Sequence, residues 1–331
     1  MFLIQTMNFY PLLFEQRLLE KVWGGHSIHA WKYGKHSDQP IGESWEIFSG
    51  NCIVNGEYAG STLQELIAKF PFEMTGRKSL EEFPLLVKLL DAKEWLSVQV
   101  HPDDALAFEL EGEQRGKTEC WYILEAEEGA CIQYDLKQHC TTECYAESIQ
   151  QNKPKDCLNY LPVQAGDIIY VPAGTVHAIG PGIMLYELQQ TSDTTYRLYD
   201  WDRMGLDGMP RELHIEKGLK CSRPGAGRFP YPLQEVQSIQ GNLVQPLIRE
   251  QYFQLDLVTI GKEAFSLSLN GKASLLTNIG SQAVQVNYND TMVILPKATS
   301  AFLPAALELI TICSEDRNQD TTILIASEHV R

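Results

Sequence analysis

The sequence predicts a mainly β protein made of two jelly-roll barrels, with a small helical excursion in the first. Two observations predict this fold class. Short apolar segments recur along the chain, and Gly/Pro turns separate them, as at Ala165-Gly166-Asp167, Pro172-Ala173-Gly174 and Gly180-Pro181-Gly182. The same pattern resumes over residues 251–328 after a Pro/Gly-rich stretch. Short strands between such turns are typical of antiparallel barrels.

The length of 331 residues is enough for two domains, or for one domain with an insertion. We expect a first β domain at residues 1–220, with a helical insertion near residues 61–82. A linker is expected at residues 221–250, and a second β domain at residues 251–331.

The overall charge limits the class of partner. A net charge of −16 and a pI near 4.9 argue against a protein that wraps a nucleic acid. A few local Lys and Arg residues can still outweigh this field, so a phosphorylated small molecule remains compatible. No apolar run approaches the roughly 20 residues that span a bilayer, so no membrane association is expected.

The cysteines indicate the compartment. Eight are scattered along the chain without a Cys-x-x-Cys pair, and Cys140-x-x-x-Cys144 alone is a weak metal signal. This pattern is typical of free thiols in a reducing compartment. The apolar start from Met1 to Met7 is too short for a signal peptide and lacks a basic segment. We therefore expect a cytoplasmic protein.

The first strands follow directly from the pattern. Residues 8–23 indicate a strand that ends in the turn Trp23-Gly24-Gly25. Residues 41–47 alternate so that Glu43 and Glu46 lie on opposite faces. Either one face lines a wet pocket, or this is an edge strand with solvated acids.

Three helices interrupt the strands. Ser61 is a plausible N-cap for a helix with apolar residues at 63, 66 and 67. A short helix begins at Asp103-Asp104, with its acids in the first turn. A third, capped helix is expected over residues 141–151.

Four polar side chains border otherwise apolar strands. In Gln99-Val100-His101, Gln99 and His101 project from the same face, and Pro102 ends the strand. Glu119 precedes another apolar run, and His177 follows a Pro-Ala-Gly turn. Either histidine alone is more often a hydrogen-bonded structural residue. Together, the four donors suit zinc or a similar divalent ion.

Longer motifs point to a known family. From about residue 40 to 205 the chain resembles type I mannose-6-phosphate isomerase (phosphomannose isomerase) in its shorter bacterial form, whereas the C-terminal third carries little signature. The motifs that carry the resemblance are Ile41-Gly-Glu-Ser-Trp-Glu, Pro84-Leu-Leu-Val-Lys-Leu-Leu-Asp-Ala, Leu96-Ser-Val-Gln-Val-His-Pro, Gly116-Lys-Thr-Glu, Pro172-Ala-Gly-Thr-Val-His-Ala and Tyr186-Glu-Leu-Gln-Gln-Thr-Ser-Asp-Thr-Thr-Tyr-Arg.

The resemblance implies an enzyme with two cupin-like barrels that interconverts mannose 6-phosphate and fructose 6-phosphate. It implies one zinc ion per chain, with ligands at Gln99, His101, Glu119 and His177. Direct ligation by the glutamine stays open. It also implies a catalytic role for Arg197. Arg203 falls where the family has a basic residue suited to the substrate phosphate.

Three further side chains are candidates for the chemistry. Glu187 could be the base that reaches the C1/C2 carbons, or a solvated strand acid. Lys117 shares the face of Glu119 and could contact phosphate or a sugar hydroxyl, or be a plain surface lysine. Lys88 lies inside an apolar strand, and because buried lysines are rare without a partner, a substrate-binding role in a pocket is expected.

Two other function classes fit the same residues. One is a cupin that binds a sugar without turning it over. The other is a cupin oxygenase, since two histidines, a glutamate and an open position can hold Fe(II). The loaded metal, the proton-abstracting group, the oligomeric state and the pathway stay open.

Overall fold

The computed structural model describes residues 8–35 and 38–329. The start from Met1 to Met7, in which no signal peptide was expected, lies outside the described residues. No helix in the described part of the chain is long and apolar enough to cross a membrane.

The described chain contains 22 strands and six α-helices. In order, the first half comprises β1 (Leu12–Leu13), β2 (Arg17–Gly25), α1 (Ser27–Tyr33), β3 (Ile41–Ile47), α2 (Leu63–Lys69), α3 (Pro71–Thr75), β4 (Leu85–Ala92), β5 (Val98–Val100), α4 (Asp104–Glu111), β6 (Glu119–Ala126), β7 (Cys131–Leu136), α5 (Thr142–Gln150) and β8 (Leu158–Pro162). The second half comprises β9 (Ile168–Val171), β10 (His177–Ile179), β11 (Ile183–Gln190), β12 (Tyr196–Tyr199), α6 (Ile215–Cys221), β13 (Gln237–Ile239), β14 (Asn242–Arg249), β15 (Phe253–Ile260), β16 (Phe265–Ser268), β17 (Ser274–Asn278), β18 (Val284–Tyr288), β19 (Thr291–Leu295), β20 (Thr299–Leu303), β21 (Leu309–Ser314) and β22 (Thr321–Glu328).

The strands form two compact units. One unit contains Arg17–Trp45 and Leu85–Pro232, and the other contains the chain up to Gln16, Glu46–Pro84 and the chain from Leu233 onward. The predicted boundaries at residues 220 and 251 are linear, whereas this division interleaves the chain. As limits of independently folding domains, the predicted boundaries stay a prediction.

The first of these units is a two-layer antiparallel structure. A six-stranded sheet has the order β2-β3-β4-β11-β6-β9, and a five-stranded sheet has the order β12-β5-β10-β7-β8. One buried apolar cluster joins the layers, with Leu90 and Trp121 from the larger sheet and Ile132 and Ile179 from the smaller one. Burial of these side chains is the main stabilising term for such a sandwich.

The other unit is also antiparallel. Its sheets have the orders β1-β20-β17-β22-β15-β14-β13 and β16-β21-β18-β19. Fully buried side chains lie on both sheets, including Phe253, Leu276, Val286 and Ile312. The predicted fold class, mainly β with a small helical excursion, is confirmed.

The helical excursion consists of α2 and α3. The N-cap of α2 is Thr62, so the prediction of Ser61 was wrong by one residue. Thr62 Oγ1 accepts the Glu65 backbone N–H at 3.1 Å, and the Glu65 carboxylate accepts the Thr62 N–H at 2.8 Å. Ser61 and Thr62 both have a Glu or Gln three positions later, so the sequence pattern fits either cap, and the structure forms the reciprocal capping box at Thr62.

The predicted linker contains regular structure. Within residues 221–250, β13 and β14 pair with each other, and β14 pairs with β15. Pro246 lies inside β14, where the register shifts between Pro246 and Ile248. Because proline usually excludes a ladder position, this residue concealed the strand in the sequence.

Candidate active site

A row of polar residues crosses the five-stranded sheet. Gln99 of β5 lies opposite His177 of β10 on one side and opposite Arg197 of β12 on the other. Directly opposed residues of neighbouring antiparallel strands project from the same face. The pairing therefore places three predicted site residues side by side.

A second row crosses the six-stranded sheet. Glu187 of β11 lies opposite Lys88 of β4 and opposite Trp121 of β6. Glu119 is two residues before Trp121 on the same strand, so it shares that face. The two layers thus present their polar rows from facing sheets.

His101, Glu119 and His177 meet where the two rows approach. His101 Nε2 lies 3.5 Å from Glu119 Oε2, and His177 Nε2 lies 3.3 Å from Glu119 Oε1. Each of these side chains is only 1% exposed. Within the described residues this is the one group of buried nitrogen and oxygen donors with metal-ligand spacing.

Backbone carbonyls orient both imidazole rings. His101 Nδ1 lies 3.0 Å from the Thr194 carbonyl, and His177 Nδ1 lies 2.9 Å from the Thr175 carbonyl. Because a carbonyl can only accept, each Nδ1 must carry the proton. Both Nε2 atoms therefore present a lone pair toward Glu119, as metal-bound histidines do.

The surroundings keep these histidines neutral. Burial lowers the pKa of His101 well below its usual value, and the cation of Lys117 lowers it further. Burial lowers the pKa of His177 to about 4, with a smaller contribution from Lys117. Neutral imidazole is the form that binds a metal.

The donor set fits a zinc ion. Within the described residues the buried His101 Nε2 has no hydrogen-bond partner, which is costly unless the atom serves another purpose. Gln99 borders the set, with its amide nitrogen 3.3 Å from His177 Nε2. Two histidines and a carboxylate, with room for a further oxygen donor, match the ligands of catalytic zinc.

Lys88 lies in the pocket with acidic partners, as its apolar neighbours predicted. It is 4% exposed, and its Nζ lies 3.8 Å from Glu43 Oε2 and 3.8 Å from Glu187 Oε2. The ammonium also lies 4.6 Å from the centre of the Trp45 ring. Lys88 and Lys21 lower the pKa of Glu43 to about 2, although burial alone would raise it.

Lys117 is buried beside the metal set and is not a surface lysine. Its Nζ lies 3.2 Å from Glu119 Oε2. Burial alone would lower the pKa of Lys117, but Glu119, Glu187 and Asp193 outweigh it and raise the pKa above its usual value. The side chain therefore supplies a positive charge to the lining of the pocket.

Glu187 is buried and is not a solvated strand acid. The Trp121 indole N–H lies 3.2 Å from Glu119 Oε1 and 3.3 Å from Glu187 Oε1, so it bridges the two carboxylates. Burial and the negative charge of Glu119 raise the pKa of Glu187 to about 7, against the opposing effect of Lys117 and Lys88. Such a carboxyl can accept or return a proton near neutral pH.

These side chains line one cavity of about 260 Å³. Its polar lining includes Lys88, Gln99, Lys117, Glu119, Glu187 and Arg197. A cavity of this size and polarity suits a small hydroxylated anion.

The arginines divide into two positions. Arg197 and Arg211 line the cavity, whereas Arg203 is not among the described lining residues. Arg203 Nη2 lies 3.0 Å from Asp200 Oδ1, and Arg211 Nη2 lies 2.5 Å from the same oxygen. The Arg197 guanidinium donates to the Glu212 carbonyl at 2.8 Å. The phosphate role of Arg203 stays a prediction.

Arg211 was missed by sequence reasoning. It lies in a polar loop between β12 and α6, and nothing in its flanking residues marks it. Its position depends on the shared contact with Asp200, which brings together residues eleven apart in the chain. The sequence does contain one clue, because both Arg203 and Arg211 follow Asp200 within the same loop.

Comparison with known proteins identifies the family of this chain. The family model "Phosphomannose isomerase type I, catalytic domain" matches residues 12–129. Mannose-6-phosphate isomerase ManA of Bacillus subtilis is 37% identical over 273 residues, which cover 81% of this chain and 82% of that protein. Mannose-6-phosphate isomerase of Streptococcus mutans is 45% identical over 214 residues, and the match spans 63% of this chain and 66% of that protein.

Solved structures agree with these relatives. The crystal structure of a Bacillus subtilis mannose 6-phosphate isomerase superposes with a TM-score of 0.87 at 31% identity, covering 97% of this chain and 99% of that one. A zinc-bound mannose 6-phosphate isomerase superposes with a TM-score of 0.76 at 15% identity, covering 97% of this chain and 100% of that one, and supports the fold alone. The chain belongs to the type I mannose-6-phosphate isomerase family.

Proposed function

We propose that this chain interconverts mannose 6-phosphate and fructose 6-phosphate through an enediol, using one zinc ion. The observation that carries the proposal is the convergence of His101 and His177 on Glu119, which lines a cavity together with lysines, arginines and a buried acid. Family membership selects isomerisation over sugar binding without turnover and over an iron oxygenase.

His101, Glu119 and His177 would hold the zinc ion, with Gln99 as a further ligand. The bound metal would supply Lewis acidity toward the sugar oxygens. Ligation by Gln99 requires its amide to turn, since the atom that faces His177 is placed as nitrogen and the oxygen lies 3.3 Å from Ser97 Oγ. Turning the Gln99 amide by half a turn exchanges its oxygen and nitrogen and changes only the hydrogen bonds that the group makes.

Glu187 would move the proton. Its carboxylate takes the proton from C2 of open-chain mannose 6-phosphate, and the electron pair of the broken C–H bond forms the C1–C2 double bond while the negative charge moves to O1. The proton of the O2 hydroxyl passes to O1, which gives the enediol form with its charge on O2. The same Glu187 carboxyl then returns its proton to C1 as the C2=O bond forms, which yields fructose 6-phosphate. A pKa raised to about 7 suits both halves of this transfer, since the group must act as base and then as acid.

Lys117 would stabilise the negative charge that develops on the sugar oxygens. The ammonium is buried and already charged, so it needs no reorganisation during the reaction. Lys88 would bind a sugar hydroxyl while holding Glu187 and Glu43 in place. Arg197 would act at the same developing charge from the opposite sheet.

The phosphate would lie toward the arginines. Arg211 lines the cavity and Arg203 contacts the same Asp200 carboxylate as Arg211 does. Planar guanidinium groups bind phosphate oxygens in a bidentate manner, which lysine cannot reproduce. We therefore place the phosphate near Arg211, with Arg203 contributing directly or through Asp200.

The eight free cysteines support a cytoplasmic setting. A small phosphorylated sugar is the partner for which the site provides contacts.

The test is turnover of mannose 6-phosphate and fructose 6-phosphate by the zinc-loaded protein, followed in both directions. Unphosphorylated mannose at equal concentration is the matched control, and we expect it to react far more slowly because it lacks the arginine contacts. Binding of mannose 6-phosphate without turnover in either direction would overturn the proposal and leave the sugar-binding class.

A further inference from the structure

A second group of metal-type donors lies outside the candidate active site. The Sγ atoms of Cys140, Cys144 and Cys157 all lie within 4.8 Å of one another. We propose that these three thiols form a second metal site for a thiophilic divalent ion such as Zn²⁺. No residue of this group takes part in the proposed isomerisation.

Short, fixed elements deliver each thiol. Cys140 ends a turn that is closed by its own N–H to the Lys137 carbonyl at 2.8 Å. Cys144 lies in the first turn of α5, where its N–H donates to the capping Thr141 Oγ1 at 3.2 Å. Cys157 is tied to the same turn, since its carbonyl accepts the Lys137 N–H at 2.9 Å. The three positions are thus set by backbone hydrogen bonds.

The spacing matches a shared metal better than a disulfide. Cys144 Sγ lies 3.8 Å from Cys157 Sγ. Two thiolates at about 2.3 Å from one tetrahedral zinc ion lie about 3.8 Å apart. A disulfide requires the sulfurs to approach to about 2.05 Å and would leave the third thiol unused.

The exposure of the three cysteines also suits a metal site. Cys140 and Cys157 are buried and belong to an apolar cluster with Tyr145 and Leu158, whereas Cys144 is exposed. A metal could therefore enter past Cys144 and leave one coordination position toward solvent. Cys140 also lines an open cavity, which gives the group a second route to solvent. Binding would convert three thiols to thiolates and release three protons to solvent.

The thiolates provide a specific spectroscopic test. The full-length protein is loaded with Co²⁺, and near-ultraviolet absorption is recorded. Thiolate-to-cobalt charge transfer gives an intense band, and the candidate active site cannot produce it because its donors are nitrogen and oxygen. We expect the band in the wild-type protein, and its loss in the Cys144→Ser/Cys157→Ser variant. Cys52→Ser, a partly exposed thiol outside the group, is the matched control and should keep the band.

Metal content gives an independent readout. Zinc per chain should fall from about two ions to about one in the double variant, because one three-thiolate site is lost. Isomerase turnover should remain. The single variant Cys144→Ser changes only the exposed thiol and guards against a folding defect, and its circular dichroism should be unchanged while the band weakens. Absence of the band in the wild type, its persistence in the double variant, or a Cys144–Cys157 disulfide without metal would each overturn the proposal.

Discussion

At the scale of single residues, the candidate site depends on which nitrogen of each histidine is protonated. The carbonyls of Thr194 and Thr175 hold the Nδ1 protons of His101 and His177. The sequence could not predict these contacts. Thr194 lies far along the chain from His101, and Thr175 lies in a turn, so no local pattern shows where either carbonyl points. The sequence did predict that these histidines would be site candidates, since each interrupts or borders an apolar run.

The role of Arg197 is testable because it is separate from the metal set. Arg197→Ala should keep zinc and fold, and lower kcat by about 100-fold, since a fixed positive charge near the developing negative charge is lost. Zinc analysis, circular dichroism and steady-state kinetics measure the three properties. Arg317→Ala, a surface change in the other unit, should leave all three unchanged. A kcat within twofold of the wild type would remove Arg197 from catalysis.

The roles of Arg203 and Arg211, which both contact Asp200, can be distinguished by the KM for the phosphorylated substrate. Arg211→Ala should raise the KM for mannose 6-phosphate more than Arg203→Ala does, because only Arg211 lines the cavity. We expect about a tenfold increase for Arg211→Ala and a smaller one for Arg203→Ala, as one charge-assisted contact contributes about 1.5 kcal/mol or more. The reverse order would assign the phosphate to Arg203, as the sequence predicted.

At the scale of elements, the strands that carry the site were predictable and their pairing was not. Alternation predicted a strand ending at His101 and placed Glu119 beside an apolar run. The opposition of Gln99 to both His177 and Arg197 depends on long-range pairing that no local pattern contains. Helix α1 was missed as well. Asp91 accepts the N–H groups at its start, so a distant residue fixes it.

The corrected N-cap of α2 gives a stability test. Thr62→Ala should lower the free energy of unfolding by about 1 kcal/mol, because both bonds of the capping box are lost. Ser61→Ala is the matched control, since it adjoins the cap without forming it, and should cause a change below about 0.5 kcal/mol. Urea unfolding followed by circular dichroism measures both. A larger loss for Ser61→Ala than for Thr62→Ala would place the cap at Ser61.

At the scale of the whole molecule, the pattern of turns and apolar segments predicted the mainly β fold class. It did not predict how the chain is divided between the two compact units. The turns and apolar segments predicted two β parts. Strand β1 near the start of the chain pairs with β20, and β14 contains Pro246. Neither feature is visible in the order of the segments, which suggested a linear division. Strand exchange between distant parts of a chain leaves no compositional trace.

The buried charges also determine how the molecule responds to acid. The folded pKa of Glu43 is about 2, below its unfolded value of about 4.3. A lowered folded pKa contributes stability that is present above about pH 4.3 and is lost as the pH falls toward 2. Glu43→Gln should therefore make the free energy of unfolding less dependent on pH between about 5 and 2. Urea unfolding at several pH values measures this slope, and an unchanged slope would show that Glu43 is not held ionised by Lys88 and Lys21.

The central claim is that the His101, Glu119 and His177 group holds the metal that isomerisation requires. The most direct measurement is mannose 6-phosphate turnover before chelation, after chelation and after zinc is added back, in the wild type and in His177→Ala. His26→Ala, an exposed histidine outside the group, is the control. We predict that wild-type and control activity disappears and returns with zinc, whereas His177→Ala stays more than about 100-fold less active at every stage. Full activity of the metal-free wild type, or restoration of His177→Ala by stoichiometric zinc, would contradict the account.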